Sequence, residues 1–253
     1  MNSTIKLKSK MLILDKNLFL TLVMLIALAM AVVISSLPYV AQSFISILLG
    51  NQKQFLSVAV QLIVSFVILI FAISSFSAWN LGVDRYFLKS AQLQKASMKD
   101  IFYYFSIKRI FPASWFLGRL FLVKLCFFVL CQIPTIILIS VMIFQLSTQL
   151  SITVGAVLSV GVLASFVSGF IFYKLTTSSF FLMKYSYISG QYKGFLSALS
   201  QSGQIMNSSK ASPFSMQLSF TAWLFSCVFI IPFVYVWSYY RQARAVLATE
   251  IMQ

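Results

Sequence analysis

The sequence predicts an all-α fold: a polytopic transmembrane helical bundle of about five spans, with short interfacial amphipathic helices on the cytoplasmic side. Three observations carry this reading. Of 253 residues, 60% are hydrophobic and 9% are charged, whereas a soluble domain is about one quarter charged. Five apolar runs reach the roughly 20 residues a helix needs to cross a bilayer core about 30 Å thick. The alternating ten-residue pattern of an outer-membrane barrel is absent, and lipid-exposed backbone must satisfy its own hydrogen bonds, which leaves helices. The chain reads as one integral membrane domain over 1–253.

The first span is expected over 17–37, behind Lys6, Lys8, Lys10 and Lys16. Basic residues followed by an apolar run also describe a secretory signal, but this run is about twice the usual length and no clean small-x-small cleavage site precedes a soluble domain. It is read as an uncleaved span. Ala27, Ala31 and Ser35 recur every four residues on it, a spacing that lets helices approach closely. A second span is expected over 55–79.

A basic cytoplasmic loop follows over 80–120. With its edges it holds eight bases: Arg85, Lys89, Lys95, Lys99, Lys108, Arg109, Arg119 and Lys124. Within it, "SMKDIFYYF" predicts a short helix capped by Ser97, with Asp100 at the reciprocal capping-box position. Met98, Ile101, Phe102 and Phe105 share one face at helical spacing, so the helix is expected to lie in the membrane plane until Pro112 limits it. Clustered bases beside spans attract anionic lipid. These eight are therefore the candidate lipid or partner contacts, and the plainer reading is that they only fix topology.

Spans over 121–144 and 152–173 come next, joined by the uncharged "QLSTQLS". Gly161, Ser165 and Gly169 repeat the small-residue spacing on the second of them, a packing stripe within the chain or between copies. A second cytoplasmic loop over 174–217 carries Lys174, Lys184, Lys193 and Lys210, and a last span is expected over 218–237. Loops that retain Lys and Arg stay cytoplasmic, which puts the N-terminus and both long loops inside. Five full crossings leave Arg241 and Arg244 outside, against the same rule. The alternative is a sixth crossing or a re-entrant last segment kinked at Pro232.

The segments "LGVDRYFLKSAQLQKASMKDIFYYF" and "ALSQSGQIMNSSKASPFSMQLSFTAW" resemble a domain-of-unknown-function family of polytopic membrane proteins from Gram-positive bacteria. Ser202, Ile205, Met206 and Asn207 fit its turn motif, with Asn207 where a glycine is usual. Leu218, Ser219, Phe220 and Trp223 fit its last span. The resemblance implies a multi-pass protein of the bacterial cell membrane and adds no chemistry.

Composition also excludes function classes. The chain has no histidine and four acids, Asp15, Asp84, Asp100 and Glu250, so zinc chemistry and most general-base machinery lack their groups. Cys126, Cys131 and Cys227 fall in apolar runs and read as small apolar residues. The expectation is a non-enzyme without metal or cofactor: a scaffold, accessory or envelope component whose basic loops contact anionic phospholipid at the inner leaflet. A membrane-protein partner or a second copy is compatible, while nucleic acid is not expected, because the bases sit between apolar runs. The alternative function is a small transporter or lipid-handling protein for an anionic or apolar substrate, not coupled to a cation.

Overall fold

The computed structural model describes residues 2–14, nine isolated positions between 22 and 43, and residues 54–146, 152–190, 194–206, 211–226 and 230–252. All regular structure among them is helical. The helices are α1 (Asn2–Leu14), α2 (Gln54–Ala91), α3 (Met98–Ile101, followed by a 3-10 turn Tyr103–Phe105), α4 (Ile107–Leu146), α5 (Ile152–Ser178), α6 (Phe181–Ser189), α7 (Phe195–Ile205), α8 (Ala211–Ser226) and α9 (Ile230–Met252). Among the described residues, three stretches are long and apolar enough to cross a membrane: Ile63–Ala91, Ile107–Phe144 and Thr153–Ser189. They contain the expected spans 55–79 (from residue 63), 121–144 and 152–173 (from residue 153). The expected first span falls largely outside the described residues.

Two levels organise the molecule. One is a layer of tightly buried residues at one end. It is built from α1, the last turns of α2, the connector after it, α6, α8, and the C-terminal half of α9, and its core includes Phe87, Ile101, Tyr185, Met216 and Leu247. The other is the set of apolar rods that rise from this layer. In the most apolar windows of α4 and α5, only 11% and 6% of residues are buried. This division has a physical cause. Lipid tails are as apolar as leucine, so nothing drives the rods to bury one another there, whereas apolar side chains in the polar layer must.

The 80–120 segment is mostly helix. Residues 80–91 continue α2 and residues 107–120 begin α4, so the true connector is 92–106. Pro112 does not limit a helix here: the chain breaks at Ser106 and restarts, with the amides of Arg109 and Ile110 donating to the Ser106 carbonyl, and α4 runs on through Pro112 and Pro134. The capping box forms, the Asp100 carboxylate accepting the Ser97 backbone N–H at 3.0 Å. The short helix does not stand apart from the bundle. It is docked on α2, with Ile101 and Asp100 buried, at a point where a Cβ on Gly82 would lie 1.8 Å from the Ile101 carbonyl oxygen.

The last expected span is corrected. Residues 218–237 are divided between α8 and α9, and these helices lie side by side. Phe220 on α8 has its ring centroid 5.0 Å from that of Tyr239 and 5.3 Å from that of Tyr240 on α9. In one straight helix nineteen residues of rise would separate Phe220 and Tyr239 by about 28 Å. The chain therefore reverses between them, and α9 returns to the buried layer. There the Tyr239 hydroxyl donates to the Lys6 carbonyl of α1 at 3.0 Å. The C-terminal helix thus shares a side with the N-terminal helix and the 92–106 connector, not the opposite side that five crossings require.

Within the rods, α4 and α5 form an antiparallel pair. A Cβ on Gly169 would lie 2.7 Å from the Cys131 carbonyl oxygen, so the backbones approach as closely as glycine allows. Ser165 Oγ lies 3.1 Å from Thr135 Oγ1, which donates to Gln132 Oε1 at 3.0 Å. Gly161 faces open space. Ala27, Ala31 and Ser35 lie outside the described residues.

Candidate functional site

The buried layer is organised around two carboxylates. Asp84 and Asn80 are one turn apart on α2 and so share a face. Lys184 of α6 pairs with Asp84 and lies 3.3 Å from Asn80 Oδ1. Arg241 of α9 completes the set, its two terminal nitrogens 3.1 Å from Asp84 Oδ1 and 2.9 Å from Asn80 Oδ1. Asp84 is 5% exposed, so the cluster ties three helices together inside the layer. Arg244, three residues beyond Arg241, lies over the rings of Phe181 and Tyr240 at 5.1 and 5.6 Å.

The second centre is Asp100. Lys89 Nζ lies 2.6 Å and Arg85 Nε 3.4 Å from its Oδ1, while the Ser97 amide and hydroxyl approach its other oxygen. The Arg85 guanidinium also lies 3.5 Å from the centroid of the Tyr103 ring, and that of Arg109 lies 3.8 Å from it. Burial by itself would raise the Asp100 pKa, but the Lys89 ammonium, the Ser97 N–H and Arg85 outweigh it and hold the carboxyl below the usual carboxylate range. A carboxyl more acidic in the folded than in the unfolded chain contributes stability that is complete above its unfolded pKa and fades as pH falls through its folded one. Thermal unfolding in detergent should therefore shift to lower temperature as pH drops below the ordinary carboxylate range. Asp100→Asn should flatten that part of the profile, and an unchanged slope would remove Asp100 as its source.

The predicted contact residues separate into three groups. Arg85 and Lys89 are engaged by Asp100. Lys95, Lys99, Lys108, Arg109 and Arg119 are exposed, with Arg119 over the Trp115 ring at 4.7 Å. Lys124 stands apart: with Lys174 and Arg244 it lines a cavity of about 180 Å³ between α4, α5, α6, α8 and α9. Sequence reasoning missed Asn80, Lys184, Arg241 and the structural role of Asp84. The available signal was an acid just past an apolar run, in a chain with four acids, together with two arginines on the disfavoured side of a five-span tally.

Of the family-like turn residues, the Ser202 hydroxyl donates to the Ser179 carbonyl and Met206 is fully buried, which fastens α7 to the end of α5. Asn207 lies outside the described residues. Comparison of the chain with family models, with curated proteins and with solved structures finds no match.

Proposed function

We propose that the chain is a non-catalytic, multi-pass component of a bacterial cell membrane, a scaffold or accessory protein whose basic layer faces the cytoplasm and contacts anionic phospholipid or a partner. The observation that carries this is the set Lys95, Lys99, Lys108, Arg109 and Arg119. These bases are exposed, and none pairs with a carboxylate among the described residues. Juxtamembrane bases attract anionic lipid with about 1 kcal/mol each. With α9 returned to the layer, every Lys and Arg of the sequence except Lys53 belongs to segments assigned to the cytoplasmic side, in keeping with the bias that orients membrane proteins. The resemblance to Gram-positive polytopic proteins supports the same setting.

Orientation has a direct test. A cysteine introduced at Ser147 should react from outside with an impermeant maleimide and one at Ser97 should not. A cytoplasm-dependent reporter fused after Gln253 should be active. The reverse pattern overturns the orientation.

Lipid contact is tested by changing Lys95, Lys99, Lys108 and Arg109 together to Gln. In vesicles rich in phosphatidylglycerol, retention of anionic lipid by native mass spectrometry should fall. The loss is bounded by about 4 kcal/mol and reduced by salt. Retention equal to wild type would leave these bases as topology markers. Saturable solute uptake by the purified protein in liposomes would favour the transporter reading instead.

A further inference from the structure

Three cations meet in the cavity between α4, α5 and α9 without a carboxylate among its described lining residues: Lys124, Lys174 and Arg244. The acids that reach the layer are already engaged. Asp84 holds Lys184 and Arg241, Asp100 holds Arg85 and Lys89, and Glu250 faces Lys8 at 3.8 Å on the surface. Lys124, Lys174, Lys184, Arg241 and Arg244 therefore share a single described carboxylate, an excess of four positive charges in a partly desolvated region. Like charges brought together away from water repel, and a negative group that completes the set relieves that repulsion.

The chemistry of the cavity suits an oxyanion. Arg244 offers a planar fork and the two lysines offer point charges, the usual combination for phosphate oxygens. Gln217 adds a side-chain amide, and Phe181 and Phe214 an apolar wall. The depth suits a headgroup. Lys124 lies about 33 Å along its helix from Leu146, and Lys174 about 33 Å along its helix from Ile152, at 1.5 Å per residue, close to one hydrocarbon thickness. They occupy matching levels on the two legs of the pair, where exposed apolar helix gives way to the buried layer.

We infer that Lys124, Lys174 and Arg244 form a binding site for one phosphate group, and that the phosphodiester of an anionic phospholipid matches its depth. The site rests on the proposed orientation and lipid contact, and it adds a single defined position to a diffuse surface attraction.

The experiment uses the purified full chain in three forms: wild type, Lys124→Gln/Lys174→Gln, and the surface quadruple variant at Lys95, Lys99, Lys108 and Arg109. Native mass spectrometry reads retention of phosphatidylglycerol from vesicles of phosphatidylglycerol and phosphatidylcholine. Thermal melting reads the effect of phosphatidylglycerol and, separately, of inorganic phosphate against chloride at equal ionic strength. Wild type should keep about one phosphatidylglycerol at salt that strips the rest, and the surface variant should keep it too. The cavity variant should bind it about 30-fold more weakly, the worth of two interfacial bases. Its melting temperature should no longer respond to the anion. Lys124→Arg/Lys174→Arg should restore retention. Because Gln removes mutually repelling charges, the cavity variant should fold, and anion-free melts check this.

Stabilisation of wild type by inorganic phosphate but not by phosphatidylglycerol would support the phosphate site and assign a soluble source. Undiminished lipid retention by the cavity variant, or a wild-type melt indifferent to both anions, overturns the site. Loss of retention in the surface variant alone would sink the cavity and leave the surface reading standing. Loss in the cavity variant alone would do the opposite.

Discussion

Asp84→Asn should be among the most damaging single changes in this protein, lowering stability by about 3–5 kcal/mol. The carboxylate is buried between Lys184 and Arg241, with Arg244 nearby. Asparagine keeps the shape and removes the charge, so two cations from two other helices are left without their counterion in a desolvated layer. Removing one partner of a buried pair costs more than the pair itself contributes, because the remaining charge stays buried. The measurement is thermal unfolding of the detergent-solubilised chain. The same logic supplies a control. Asp84→Asn combined with Lys184→Met removes both ends of the shortest pair and should recover part of the loss, whereas Lys184→Met alone should be costly. If the double variant melted below Asp84→Asn, lost packing rather than stranded charge would be the cause.

Gly82→Ala should be comparably harmful through a different cause. A Cβ at this position would lie 1.8 Å from the Ile101 carbonyl oxygen and 2.7 Å from the carbonyl carbon. Both are backbone atoms, so no side chain can rotate to relieve the overlap. The helix α3 must lift from α2, carrying with it the buried Ile101 and the Asp100 carboxylate that Lys89 and Arg85 hold. Overpacking alone costs about 1–3 kcal/mol, and the loss of Asp100's partners adds to it. Two readouts are expected to change together: a lower melting temperature and faster proteolysis of the 92–106 connector. A variant with wild-type melting and wild-type proteolysis would mean that α3 does not dock on α2 at this distance.

Much of the architecture was legible along the chain because its causes are local. An apolar run of helical length needs no partner to declare itself, since the bilayer is its solvent. The capping box at Ser97 and Asp100 is a four-residue event. The small residues on α5 were legible as a stripe, though only Ser165 and Gly169 meet α4 closely and Gly161 does not. Hydropathy could not show the reversal between α8 and α9. A continuous span and an apolar hairpin have the same composition, and only the packing of Phe220 against Tyr239 and Tyr240 separates them.

The amino-acid sequence alone determined that this protein is helical, rich in membrane-crossing segments, and strongly biased in where its positive charge lies. These properties sum over neighbouring residues. The tertiary structure decided which of those charges are available. Asp84, Lys184 and Arg241 meet across separations of 100 and 157 residues, and a one-dimensional count treats them as three unrelated loop charges. Arg85 and Lys89 looked like surface contacts until Asp100 was folded onto them. Lys124 looked like one more base in a row until the hairpin brought Lys174 beside it and the returning α9 brought Arg244. The energy of a charge depends on what surrounds it in three dimensions and on how much water it keeps, and neither is a property of its position in the chain.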